Sequence, residues 1–285
     1  MPPTIKLDHV TFRYAQAEAP VLVDVDLQVE PGEFLGIVGP TGAGKTSLLY
    51  LMAGIIPHYF HGELQGSVSV DGQPTTALSL ATLTERIGVV LQDPEAQLFN
   101  LLVRDELAWG LENRGRARAA IAREVAATVE FFNIQHLRDR ITYDLSGGEK
   151  QRVALAAVHA LTPEVFLFDN PTSQLDPVGA TMVLESIRTL ADTHGFTIVL
   201  VEDKVDELVR VADRIVLLDR GRITLDAPPR QFCLNAEALA RAGVRSTQVA
   251  ELSSELLAAG VHFAGDAPVT LEEAVAAFRQ LLETR

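Results

Sequence analysis

The 285-residue chain has little cysteine, little tryptophan, a shortage of basic residues and no long apolar run. One cysteine, Cys233, excludes an internal disulfide and suits a reducing compartment. It reads as a small side chain in a hinge segment, not as a reactive thiol. Lysine and arginine total 24 against 38 acidic residues, a net charge of −14. That balance argues against a broad footprint for nucleic acid or anionic lipid, so any bound phosphate must be held by local geometry. Although 47% of residues are hydrophobic, nothing approaches the ~18 consecutive apolar residues of a membrane helix. The opening MPPTIKLDHV lacks a basic start and an apolar segment, so no export signal is expected.

What is present is strand and helix patterning in alternation. IKLDHVTFRY and VLVDVDLQV, within residues 5–30, alternate like an antiparallel hairpin or meander. EFLGIVGP is a short apolar run suited to a strand buried on both faces, and TSLLYLMAG has helical spacing ending at Gly54. SVSVDG and RIGVVLQ read as strands, and residues 101–140 as a mainly helical insertion. Then come a helix over 147–161, a strand over 164–169, a helix over 177–193, a strand over 196–201, a helix over 204–211 and a strand over 214–219. Such alternation implies a largely parallel sheet covered on both faces, an α/β fold. Pro228 and Pro229 mark a boundary, after which the tail is helical. In that tail Thr270 and Glu273 have capping-box spacing, and Leu271, Ala274, Val275, Phe278, Leu281 and Leu282 form one apolar stripe. This stripe reads equally as packing on its own domain or as a dimer contact.

GPTGAGKT matches the phosphate-binding pattern G-x-x-x-x-G-K-[ST] between a buried strand and a helix. A chance match in a chain of this length is on the order of one per cent. Gly39, Pro40, Thr41, Gly42, Ala43, Gly44, Lys45 and Thr46, with Ser47 behind them, are the expected nucleotide contacts. Glycines let successive N–H groups face phosphate, Lys45 reaches the β- and γ-phosphates, and Thr46 ligates Mg2+. Asp169, closing the apolar strand EVFLFD, is the expected metal-holding carboxylate.

LSGGEKQR, with Ser146, Gly147, Gly148 and Glu149, resembles the signature of ABC-type ATPases. Tyr14 matches the family's adenine-stacking aromatic, Gln92 its Q-loop, which also contacts the metal, and SQLD with Asp176 its D-loop. QDPEAQLFNLLVRDELAWGLEN, GIIPHYFHGELQGSVSVDG and PVTLEEAVAAFRQLL are similar to segments of the ATPases of energy-coupling-factor (ECF) vitamin and metal importers, the cobalt type among them. The resemblance implies a P-loop NTPase with a RecA-like core, an antiparallel β subdomain and a helical subdomain over about 93–163, all within residues 1–225, and a C-terminal helical extension over 226–285. It also implies ATP and Mg2+ as cofactors and a head-to-tail pair of ATPase chains. The other implied partners are a polytopic membrane coupling subunit and a substrate-binding membrane subunit, with the ATPase peripheral on the cytoplasmic face and no nucleic acid bound.

Two residues depart from the family pattern. Asn170 stands where a Glu base is expected, and Asp203 stands where a switch His is expected. An amide cannot accept water's proton, and losing a general base costs about 10² to 10⁴ in rate. Asp203 would face the γ-phosphate with charge of the wrong sign. The expectation is a P-loop site that binds ATP and hydrolyses it poorly, with an intact signature completing the site of a different ATPase chain in a heterodimer. The alternatives are a harmless rearrangement in which Asp203 acts through a water, a base removed by engineering, a purely regulatory ATP-binding subunit, and a nucleotide-gated clamp outside transport. His58 and His61 read as a solvated loop and not a metal site, and NRGRARAAIAR as a solvated helix face.

Overall fold

The computed structural model describes residues 4–263 and 265–283, with side chains as far as residue 279. A six-stranded sheet of order β10-β9-β3-β8-β7-β6 forms the centre. Its parallel part comprises β3 (Phe34–Val38), β6 (Ile87–Val90), β7 (Val165–Asp169), β8 (Thr197–Val201) and β9 (Arg214–Asp219), and β10 (Arg222–Ala227) is antiparallel at one edge. Every residue of β3, β7 and β8 is buried, which explains why these strands read as unbroken apolar runs.

Alternate residues of the strands serve two layers. Leu35, Ile37, Leu167 and Val199 pack with the helix Lys45–Met52 and with a second sheet. That sheet has order β2-β1-β4-β5 and comprises β1 (Ile5–Tyr14), β2 (Leu22–Val29), β4 (Gly62–Val70) and β5 (Gln73–Pro74). Phe34, Phe166, Phe168 and Ile198 face the opposite layer, with apolar side chains of the helices Val103–Asn113, Gly147–Ala160 and Pro177–His194. Phe232, Cys233, Leu239, Ala250 and Val269, all beyond the Pro228–Pro229 boundary, belong to that same core, so the tail is packed onto the sheet. Burial pushes the Cys233 thiol up to about 11, in keeping with an inert side chain.

Several expectations needed correction. β4 begins at Gly62 and not near Ser67; its first half is mostly exposed and carries glycines that mask strand character, yet Tyr14 pairs with Gly62 along β1. The segment expected to be helical over 204–211 holds only the short helix Val205–Leu208, because no side chain caps it and the chain must turn to enter β9 at Arg214. The capping box at Thr270 and Glu273 is formed, but the tail stripe is divided. Ala274 is buried and Phe278 approaches Phe263 at 6.0 Å, whereas Leu271 and Val275 are exposed. The side chains of Leu281 and Leu282 lie outside the described residues. In the basic run, Arg114 is not merely solvated: it donates to the carbonyls of Leu161 at 2.7 Å and Thr84 at 2.6 Å. His61 is exposed in a loop, as expected, whereas His58 is half-buried at the end of the helix Ile55–His58 and bonds the Thr75 carbonyl at 3.0 Å.

Glu106 organises the entrance to the helical segment. Its carboxylate is buried and accepts from Phe99 N at 3.1 Å, Asn100 N at 2.7 Å and Asn100 Nδ2 at 3.1 Å. Glu106→Ala leaves these donors without an acceptor and is expected to destabilise the chain by about 2–3 kcal/mol. Urea unfolding would measure the loss, and Glu106→Gln, which retains one acceptor, should fall between the two.

Candidate functional site

The site gathers at the carboxyl ends of β3, β6, β7 and β8, where loops of a parallel sheet converge. After β3 the chain turns at Gly39, where a Cβ would meet the Leu218 carbonyl at 2.0 Å. Gly44, at φ 104°, begins the next helix in the left-handed region, and a Cβ there would lie 2.8 Å from the Val21 carbonyl. No side chain caps this helix, so its first backbone donors remain available to an anion. Thr41, Gly42, Gly44, Lys45, Thr46, Ser47, Gln92, Asn170 and Asp203 line one cleft of about 310 Å³. Pro40 lies on an adjoining cavity, and the Ala43 amide closes the turn on the Pro40 carbonyl at 3.1 Å.

Lys45 is buried and fully engaged. Its ammonium donates to Gly39 O at 2.7 Å and Pro40 O at 3.2 Å, and it pairs with Asp203 Oδ1 at 3.2 Å. Thr46 Oγ1 donates to Asp169 Oδ2 at 2.8 Å, joining the P-loop helix to the end of β7. Burial holds the Asp169 carboxyl above its ordinary range, Thr46 and Lys45 oppose that shift, and Asp203 adds to it. The second oxygen of Asp169 is buried without a partner, and so is the side-chain oxygen of Asn170. Asn170 sits at φ 47°, a left-handed conformation that asparagine tolerates better than most residues.

Gln92 lines the cleft with an exposed side chain. Tyr14 stands beside the cleft: its hydroxyl bonds Ser47 Oγ at 2.9 Å while its ring meets Phe12 edge-on at 4.8 Å. Ser146 is elsewhere. It caps the helix Gly147–Ala160 in a capping box with Glu149, and Ser146 and Gly147 face solvent. The signature is therefore not brought to the chain's own P-loop. It is instead tied to the segment after Gln92, where Glu95 pairs with Lys150, and it lies near the D-loop, a Cβ on Gly147 falling 3.8 Å from the Gln174 carbonyl. Asp176 itself caps the helix Pro177–His194 through Gly179 N at 2.8 Å.

Sequence reasoning missed two supporting groups. Gln97 braces the strand end before Gln92, accepting from Leu91 N and donating to Val89 O, each at 3.1 Å. Behind Asn170, Thr172 Oγ1 lies 2.9 Å from Glu202 Oε1 and 2.6 Å from Glu207 Oε2. One hydroxyl proton cannot serve both carboxylates, so one acid must keep its own. Glu207 is paired with Lys204 at 2.9 Å and Glu202 is buried, which assigns the proton to Glu202. Burial, and then the charge of Glu207, push Glu202 up to about 8. A glutamate beside an aspartate in VEDK gives no sign of this, because the pairing depends on Thr172, 30 residues earlier.

The sign of the pH effect follows. Unfolded, Glu202 loses its proton near 4.5, and folded it keeps the proton to about 8, so stability should decline as pH rises through that window. Glu202→Gln preserves a neutral hydrogen-bonding group and should flatten the decline. Thermal melts of both proteins at about pH 5 and about pH 8 check this against the folded-state shift; equal slopes would place the proton elsewhere.

Comparison with known proteins agrees with this geometry. The ABC transporter family model matches residues 22–173. A Pyrococcus abyssi protein described as an ABC transporter ATP-binding protein is 41% identical over 257 residues, or 90% of this chain and 92% of that one. The structure of cbiO1 from Clostridium perfringens, part of the ABC transporter complex cbiONQ, aligns with a TM-score of 0.76 at 26% identity, covering 88% of this chain and 99% of the other. The ATP-binding cassette MJ0796, as a dimer in a post-hydrolysis state with ADP and Pi, aligns with a TM-score of 0.70 at 25% identity over 79% of this chain and 98% of its own. No helix among the described residues is long and apolar enough to cross a membrane. With the family model spanning more than half its residues and a relative this similar along nearly its whole length, the chain belongs to the ABC transporter family as an ATP-binding subunit, an ABC-type ATPase.

Proposed function

We propose that this chain is the energy-coupling ATPase of an ECF-type importer, linking ATP binding and hydrolysis to uptake of a vitamin or metal ion. Its partners are a polytopic membrane coupling subunit, a substrate-binding membrane subunit and a second, different ATPase chain, with the assembly at the cytoplasmic face of the membrane. The observation carrying this reading is the likeness to cbiO1, which spans 88% of this chain. The wider division is an ABC nucleotide-binding domain over 1–225 and a helical extension over 226–285.

Thr46 and Gln92 line the cleft, Asp169 is bonded to Thr46, and the unpartnered Asp169 oxygen fits a hydrated Mg2+ held by these three. When bound, that ion offsets phosphate charge during transfer. The backbone N–H groups of Gly42 and of Gly44 to Thr46 cradle the phosphates, and Lys45 is the cation directed at their outer end. Asn170 can orient water through its amide but cannot accept a proton. This site is therefore proposed to hydrolyse ATP slowly, while Ser146 and its neighbouring glycines complete the nucleotide site of the partner chain. The solvent-facing placement of Ser146, away from Lys45, supports that division of labour.

In the assembled complex Ser146→Arg should lower ATP hydrolysis by about 10²-fold or more, since it removes an anion-binding donor from the partner's site. Unchanged hydrolysis would sink the cross-site role. For the chain alone, the double change Asn170→Glu with Asp203→His restores a base and removes a carboxylate, and turnover should rise by about 10² to 10⁴. Steady-state phosphate release measures it; brisk turnover by the unaltered chain paired only with itself would overturn the slow-site reading. Purification of the native complex should yield two different ATPase chains with a polytopic membrane protein.

A further inference from the structure

Lys45 has three ammonium protons, and each has an acceptor within the chain. Two acceptors are neutral carbonyls, Gly39 O and Pro40 O; the third is the Asp203 carboxylate at 3.2 Å. A lysine at this place in a P-loop reaches the β- and γ-phosphates. Asp203, the one anionic partner of its ammonium, therefore competes for it with phosphate, and a triphosphate brings the larger charge to that lysine. We infer that Asp203 is a specificity-determining residue that sets this P-loop, in the isolated chain, to favour nucleoside diphosphate over nucleoside triphosphate.

The local charge count supports the assignment. Lys45 is paired with the Asp203 carboxylate at 3.2 Å, and the Asp169 carboxylate stands close by, bonded to the next residue, Thr46, at 2.8 Å. The neighbouring Lys204 gives no relief, because its ammonium is turned to Glu207 at 2.9 Å. Arg245 lines the adjoining cavity with Asp203, yet among the described residues Lys45 is the one cation paired with Asp203. Lys45 reaches the β-phosphate of either nucleotide. A triphosphate extends one group further, toward the lysine and its carboxylate, and like charge opposes it there. Asp203 is 57% exposed, so it can swing toward water without disturbing the core, and solvent softens the repulsion. The expected discrimination is accordingly modest, about fivefold.

This inference rests on the nucleotide site proposed above and deepens it. Triphosphate then binds the lone chain with a handicap, which closure against a partner's signature would offset by adding donors to the terminal phosphate. The test is equilibrium titration of the purified chain with Mg·ADP and with the non-hydrolysable Mg·AMP-PNP. Wild type should bind the diphosphate about fivefold more tightly. Asp203→Asn and Asp203→Ala should close that gap by gaining triphosphate affinity, with diphosphate affinity held within about twofold. Thermal melts confirm that each variant is folded, as expected for an exposed position. No diphosphate preference in wild type, or a preference that persists unchanged in Asp203→Asn, would overturn the inference while leaving the nucleotide site intact. Binding of neither nucleotide by wild type would overturn both.

Discussion

A single hydrogen bond, from Thr46 Oγ1 to Asp169 Oδ2 at 2.8 Å, joins the turn after β3 to the end of β7 across 123 residues. It can form because β3, β8 and β7 run parallel and side by side, so that their carboxyl ends reach the same edge. The Asn170 backbone N–H then donates to the Val201 carbonyl at 3.0 Å, bringing the residue after β7 against the end of β8. Every other chemical group at the cleft inherits its place from this alignment: Lys45 after β3, Gln92 after β6 and Asp203 after β8. Two fully buried faces keep the strands in register, and the burial that builds the sheet also raises the affinity of Asp169 for its proton.

Within so acidic a chain, phosphate affinity cannot come from the overall field. It falls to oriented backbone donors and to one buried lysine, and the lysine is already engaged by its own loop and by Asp203. Asn170 and Asp203 thus act on the same cleft by different means. The first lacks a proton acceptor of useful basicity, and the second is paired with the buried lysine of the loop. The signature is independent of both: it is organised by its own capping box and by the Glu95–Lys150 pair. Under the proposed function, the chain is weak at its own P-loop and still presents its signature residues to a partner.

Much of this was legible before any coordinates. β9 ends where its apolar run ends, and the helices over Gly147–Ala160 and Pro177–His194 lie within a residue or so of where periodicity placed them. Such segments are long or fully buried, so local pattern and tertiary demand agree. β4 and the short helix Val205–Leu208 were misjudged because pairing with β1 and entry into β9, both contacts made at a distance, override weak local preference. The tail stripe was half right: Ala274 is buried, while Leu271 and Val275 remain outside although they share the same helical spacing.

The order of amino acids alone determined the phosphate-loop pattern over Gly39–Thr46, the signature-like LSGGEKQR, and the presence of Asn170 and Asp203 where the family resemblance leads one to expect Glu and His. These are properties of residue type at fixed spacing, which folding cannot alter. Only the tertiary structure decided that Asp203 pairs with Lys45, that Glu202 and Glu207 converge on the Thr172 hydroxyl, that Glu106 and Gln97 brace the loops around Gln92, and that Ser146 faces outward. Each of these is set by which strand ends and loops meet in space, and electrostatic and hydrogen-bonding energies depend on separation and burial, quantities that no linear spacing contains.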